Sequence, residues 1–172
     1  VIGRHFFYRI LAEVAGTIED LDSRLSYLKE VQIIRERKRM EELEYLFKHA
    51  LAQMAAYESI LNERRKEIHL RVADSIEKVF SQRIPDFYGM LAYHYSKGED
   101  LDKAQEYMIK AGEEALRSSA SSEALNYYQE ALKLYLKKYG DAAEPEELAI
   151  HEKNIALAFF YKGQDANAIE YF

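Results

Sequence analysis

No cysteine occurs anywhere in this chain of 172 residues. Its absence excludes a disulfide framework and any thiolate metal site, and it suits an intracellular protein. Tryptophan is missing too, and there are only 2 prolines and 7 glycines. Such sparse punctuation favours helices joined by short turns. No apolar run approaches the about 20 residues that cross a bilayer. The opening VIGRHFFYRI has neither the long apolar stretch nor the small-residue cleavage site of a signal peptide. The expected location is therefore cytoplasmic, with no membrane partner. The chain begins at Val1, not methionine, and ends at Phe172 inside a helical pattern, so it is read as a piece of a longer protein.

The motifs of catalysis are missing as well. The glycines never cluster, so neither G-x-x-x-x-G-K-[ST] nor G-x-G-x-x-G occurs, and there is no G-x-S-x-G nucleophile elbow. His5, His49, His69, His94 and His151 form no H-E-x-x-H and no pair at i, i+4, so no metal is expected. His69 is expected to be a structural histidine beside an apolar helix face. The acidic pairs Glu41–Glu42, Glu113–Glu114 and Glu146–Glu147 are read as solvated helix surface, because adjacent residues on a helix do not face each other. No catalytic residue and no cofactor is expected in the chain itself.

What is present is a folding composition, 48% hydrophobic and 31% charged, which separates it from disordered chains. The charge is uneven. Residues 1–84 carry 15 basic and 14 acidic side chains, residues 85–172 carry 9 and 16. The second part would repel a phosphate backbone, which argues against nucleic acid. The pattern changes at the same place, giving two expected regions, 1–84 and 85–172.

In the first region, Phe7, Ile10, Leu11 and Val14 lie at helical spacing within Phe6–Ala15, and Gly16 suits a stop. Ile18–Lys29 repeats the spacing with Leu21, Leu25 and Leu28. VQIIRERKRMEELEYLF then combines β-branched Val31, Ile33 and Ile34 with aromatic Tyr45–Phe47, predicting two short strands around a charged tip. A continuous helix over 31–46 is the alternative. The tip, RERKR (Arg35–Arg39), is the best candidate for touching a nucleic-acid backbone. It has no interleaved aromatics and acids follow at once, so a solvated tip is favoured. In FKHALAQMAAYESIL, residues Phe47, Ala50, Leu51, Met54, Tyr57 and Leu61 fall at helical spacing and are predicted to form a core face. NERRKEIHLRVADSIEKVF predicts a further helix with Ile68, Val72, Ile76 and Val79 inward, Asn62 as cap, and Arg64, Arg65 and Lys66 in i, i+4 pairs.

In the second region everything is helical. Ala92, Tyr95 and Ala104 recur 64 residues later as Ala156, Phe159 and Ala168. Ala104, Met108 and Ala111 are echoed by Ala124, Tyr128 and Ala131. Small residues let helices approach, and a large one fills the gap beside each. Gly98 and Gly163 are assigned to tight turns, and Gly140 and Pro145 bracket a longer connection in which Pro145 suits a first helical turn. Tyr88, Tyr93, Tyr95, Tyr127, Tyr128, Tyr135 and Tyr161 are expected mostly in the core, some lining a groove.

LAYHYSKGEDLDKAQEYMIKA and IALAFFYKGQDANAIEYF resemble tetratricopeptide repeats, paired antiparallel helices of about 34 residues. The resemblance implies packing roles for the residues just named and for Phe172, and a helix at Leu101–Ser118 shared by two units. VIGRHFFYRIL, YLFKHALAQMAAYESIL and RRKEIHLRVADSIE resemble the segment that follows the nucleotide-binding core in bacterial STAND signal-transduction ATPases. That class implies a winged-helix-like region followed by helical repeats. The order is most similar to multidomain adenylate/guanylate cyclases, which begin with a class III cyclase domain. The resemblance implies that His49 senses the β-phosphate of ADP held by an upstream domain, that ATP/ADP and Mg²⁺ belong to the parent protein alone, and that the array binds a protein or peptide partner. The expected fold is mainly all-α, a winged-helix-like region with a short β-hairpin followed by a superhelix of tetratricopeptide-type hairpins. A STAND-type DNA-binding transcriptional regulator and a plain repeat scaffold are the alternatives. Exposed helical ends at Ala168, Ile169 and Phe172 would offer a route to homo-oligomers.

Overall fold

A computed structural model describes residues 3–16 and 20–171. Ile18 and Phe172, both assigned above, lie outside the described residues. The protein is mainly helical with one small antiparallel sheet. It divides into two compact units, Val1–Gln82 and Arg83–Phe172. Among the described residues no helix is long and apolar enough to cross a membrane.

The first unit runs β1 (His5–Phe7), α1 (Tyr8–Ala15), α2 (Leu21–Glu30), β2 (Ile34–Arg39), β3 (Glu42–Phe47), α3 (Ala50–Glu58) and α4 (Asn62–Val79). Gly16 ends α1 at φ 62°, its N–H bonded to the Ala12 carbonyl, a backbone state that glycine adopts without penalty. The sheet order is β1-β3-β2, both pairs antiparallel. Alternation along the strands sorts the side chains between two faces. On one, Phe6, Tyr45 and Ile34 pack with Leu25 of α2, the Phe6 ring 5.7 Å from Tyr45. On the other, Phe7 meets Phe80 edge-on at 5.6 Å, and α1 packs on α4 through Ile10, Val72, Ala73 and Ile76.

Several expectations are corrected here. Phe6 and Phe7 belong to a strand, not a helix, because pairing with Tyr45 and Glu44 holds them extended. The hairpin is present and the long helix over 31–46 is not. RERKR, however, is not its tip but the body of β2. The tip is Met40–Glu41, both residues left-handed (φ 53° and 62°), as a two-residue hairpin loop demands. Asn62 does not cap α4; Leu61 occupies the cap position and no side chain accepts there. Ile68 and Val79 are only half-buried, while His69, Ala73 and Ser75 join Val72 and Ile76 inside. Ion pairs on α4 include Arg64–Glu67 and Lys66–Glu63, both at i, i+3.

The second unit runs α5 (Tyr88–Gly98), α6 (Leu101–Arg117), α7 (Ser121–Tyr139), α8 (Pro145–Tyr161) and α9 (Asp165–Ile169). Each helix packs on the next, so α6 does touch a helix on either side. Pro145 opens α8, where its missing N–H leaves nothing unsatisfied. Gly163 turns at φ 73°, but Gly98 does not turn: it is the last residue of α5, and Glu99 takes the left-handed position at φ 65°. Asp100 caps α6, its carboxylate accepting the Lys103 N–H at 3.1 Å.

Candidate functional site

His49 was expected on a helix, sharing a side with Gln53 and Ala56. It instead precedes α3 with extended backbone (φ −119°, ψ 121°), and its side chain is exposed and caps nothing. The strand-to-helix turn places it there: β3 ends at Phe47, and the His49 carbonyl accepts the Gln53 N–H at 3.3 Å to begin the helix.

The helix behind it overturns a second expectation. All of α3 except Gln53, Tyr57 and Glu58 is apolar, yet none of its residues is buried. Leu51 is 77% exposed, Met54 50% and Leu61 81%. The predicted core face is not covered: among the described residues Leu51, Met54 and Leu61 stay exposed, although α3 touches β3. Phe47 belongs to the sheet, and the far end is anchored by Tyr57 and by Arg65, which donates to the Glu58 carbonyl at 3.2 Å and the Ile60 carbonyl at 2.6 Å. The Tyr57 hydroxyl lies 3.3 Å from His69 Nε2, and Arg65 sits 4.8 Å over the Tyr57 ring. His69 is fully buried against this contact, as a structural histidine should be.

The basic run of β2 has an unexpected counter-ion. Glu44 on β3 is only 1% exposed and is held by Arg37 and by Arg39, the latter at 3.3 Å. Lys29 is bonded to Glu36 at 2.8 Å, and Arg9 to Glu42 at 2.8 Å. The acids that follow RERKR in sequence thus fold back onto it, because the register sets Arg37 opposite Glu44 and Arg39 opposite Glu42. Glu41–Glu42 consequently sits in a hairpin, not on a helix.

In the second unit, Ala92, Tyr95, Ala104, Met108, Ala111, Ala124, Tyr128, Ala131, Ala156 and Ala168 are all buried, and Phe159 is half-buried with its ring 5.8 Å from Tyr171. The burial of Ala168 corrects its assignment to an exposed end; Ile169 beside it is exposed. Tyr95 stacks on Tyr107 with ring centres 5.7 Å apart and takes a hydrogen bond from Lys103 Nζ at 2.8 Å. Burial pushes the Tyr128 phenol up to about 12, with Glu113 adding to it, and burial first and Glu123 second raise Tyr127. Both phenols stay neutral, as packing roles require.

Two concavities carry the remaining tyrosines. One, of about 310 Å³, is lined by Tyr88, Tyr127, Asp86, Glu114 and Glu123. The other, of about 370 Å³, is lined by Tyr135, Tyr139, Asp102, Glu144 and Glu147. Tyr93 and Tyr161 are exposed. Beneath the second concavity, His151 is buried with Gln105 Nε2 at 2.9 Å from its Nε2 and the Tyr135 ring 5.2 Å away. An amide nitrogen only donates, so His151 accepts on Nε2 and carries its proton on Nδ1.

Burial lowers the His151 pKa below its ordinary 6.5, Glu147 opposing. The unfolded chain then binds more protons than the folded one in acid, so stability falls as pH drops below 6.5 toward the folded value. Urea midpoints measured from about pH 7.5 to about pH 5 should show this loss, and His151→Gln should flatten it in that window. Equal slopes for both proteins would remove His151 as the cause.

Among the described residues no group of three or more His, Cys, Asp or Glu is placed to hold a metal ion. The sequence missed the roles of Glu44, Gly112 and Gln105: Glu44 meets Arg37 and Arg39 only through the hairpin register, Gly112 faces the Tyr128 ring and Gln105 meets His151, so each matters through tertiary pairing and not through a local signature. Compared with known proteins, the chain matches no family model, and no curated protein matches it.

Proposed function

We propose that this chain is a non-catalytic regulatory and protein-interaction segment of a bacterial signal-transduction ATPase, coupling partner binding to an upstream ATPase and nucleotide cyclase. The observation that carries the reading is α3, an apolar helix with no buried residue, directly preceded by exposed His49. An apolar stripe of this kind on a folded unit marks a docking surface. The order β1-α1-α2-β2-β3, with its terminal hairpin, supports the winged-helix-like assignment. The consecutively packed helices α5–α9, with small residues buried beside large ones, support a tetratricopeptide-type array.

In this reading α3 docks on the nucleotide-binding domain in the resting state, and His49 donates to the β-phosphate of ADP. A partner on the helical array biases the equilibrium toward the undocked state. Both concavities of the array are lined by tyrosines and carboxylates, which suits a basic peptide segment. ATP, ADP and Mg²⁺ are bound upstream and not by this chain. The test uses the protein that carries the ATPase. A hydrogen bond to a charged group contributes about 1.5–3 kcal/mol, so His49→Ala should weaken ADP retention by about 10-fold or more. Leu51→Asp with Leu61→Asp should do the same by undocking the helix. Unchanged ADP release in both variants would end the sensor reading.

A further inference from the structure

We propose that the end of the sheet where β3 runs toward α3 is a binding site for a small phosphate-bearing anion. Antiparallel pairing in the order β1-β3-β2 brings the start of β1, the start of β2 and the end of β3 to one edge. Arg4 and His5 arrive on the first, Arg35 on the second and Lys48 after the third. With Leu46 and Phe47 they line a cavity of about 480 Å³ to which no carboxylate contributes. His5 and Arg35 both oppose Leu46 in the register, so they flank it on one face of the sheet.

Among the described residues the charge at this edge has no counter-ion, in contrast to four other cations on or beside the sheet. Arg37 and Arg39 are taken by Glu44, Lys29 by Glu36 and Arg9 by Glu42. The side chains of Arg4 and Arg35 have no hydrogen-bond or ion-pair partner among the described residues, and Lys48 bonds only the neutral amide of Gln32, at 3.2 Å. A guanidinium fork matches two oxygens of a tetrahedral oxyanion, and an ammonium adds a third contact. His5 contributes a donor as well. Arg37 donates to its Nδ1 at 3.2 Å, which leaves the ring proton on Nε2. The first-turn amides of α3 follow directly after Lys48 and His49, with no side chain capping them, and add positive potential.

The site takes one phosphate, not a polynucleotide. On the face of β2 that carries Arg35, the next two cations, Arg37 and Arg39, are both held by Glu44, and Lys38 lies on the opposite face, so the patch stops where a nucleic-acid backbone would have to continue. It lies wholly within this chain and is independent of His49 and of any upstream domain. A free phosphate ion and the phosphoryl group of a larger molecule would present the same chemistry.

The experiment titrates the 172-residue chain with inorganic phosphate at pH 7.5, followed by amide chemical shifts, with chloride matched for ionic strength. A parallel arm uses phenyl phosphate, which distinguishes a phosphomonoester from the free ion. Saturable one-to-one binding is expected, with shifts at Arg4, His5, Arg35 and Lys48. Arg35→Gln should weaken it about tenfold, Arg4→Gln with Arg35→Gln should abolish it, and Arg35→Lys should retain part of it. Arg83→Gln, a cation already paired with Asp86, should change nothing. Equal affinity in the wild type and the double variant would overturn the site. So would an oligonucleotide that displaces phosphate and binds more tightly as its length grows.

Discussion

Replacing Arg37 and Arg39 together by alanine should destabilise the first unit by about 3 kcal/mol, more than replacing Glu44 itself. The asymmetry comes from burial. Glu44 is 1% exposed, whereas the Arg37 and Arg39 side chains are 43% and 51% exposed. Removing both cations strands a carboxylate away from water, and a buried charge without a partner is among the most costly groups in a protein. Removing the carboxylate strands nothing, because water reaches both guanidinium groups. Glu44→Gln should therefore cost only about 1 kcal/mol, and Glu44→Leu should come close to neutral. Urea unfolding at constant m-value gives the three numbers. If Glu44→Gln proved the most damaging of the three, the cluster would be acting through the carboxylate's own contacts and this account would fail.

Substitution at Gly112 should have the largest effect in the second unit. The glycine lies on α6 where it crosses α7, and a Cβ there would stand 2.8 Å from both Cδ1 and Cζ of Tyr128. Real Cβ contacts are never so short, so the ring must move. It has little room, being 2% exposed and enclosed by Ala115, Ala124, Leu125, Ile155 and Ala158. Gly112→Ala gains about 1 kcal/mol in helix propensity, while overpacking costs about 1–3 kcal/mol, so a net loss is expected. Gly112→Leu should lower stability by more than about 3 kcal/mol. Adding Tyr128→Ala should recover part of that loss, so that the double variant is more stable than the sum of the single effects allows. A rise in thermal midpoint on Gly112→Ala would show that the two helices are not in close contact.

Much of the local structure was legible in the sequence. Gly16 and Pro145 occupy the terminal positions their backbone preferences dictate, and the β-branched and aromatic runs of residues 31–47 do form a hairpin. The small and large residues named from Ala92 to Ala168 are buried, Phe159 being half-buried, because close helix contact leaves no other place for alanine beside tyrosine. The hairpin's turn was hidden: Met40 and Glu41 take left-handed backbone without the glycine or asparagine that normally marks it. β1 was hidden too, since three residues carry no periodicity of their own, and only the bonds to β3 hold them extended.

The sequence by itself determined where α1 stops and α8 starts, and which residues are small or large enough to share an interface, because these depend on backbone preferences and spacing within a few residues. Only the tertiary structure decided what those residues meet. It turned a basic run into a clamp on Glu44, left Arg4 and Arg35 without a counter-ion among the described residues at the sheet edge, and buried no residue of the apolar helix α3. Each outcome depends on strand register or on packing between segments distant in sequence. A one-residue change of register would place different charges opposite one another while leaving the amino-acid pattern unchanged.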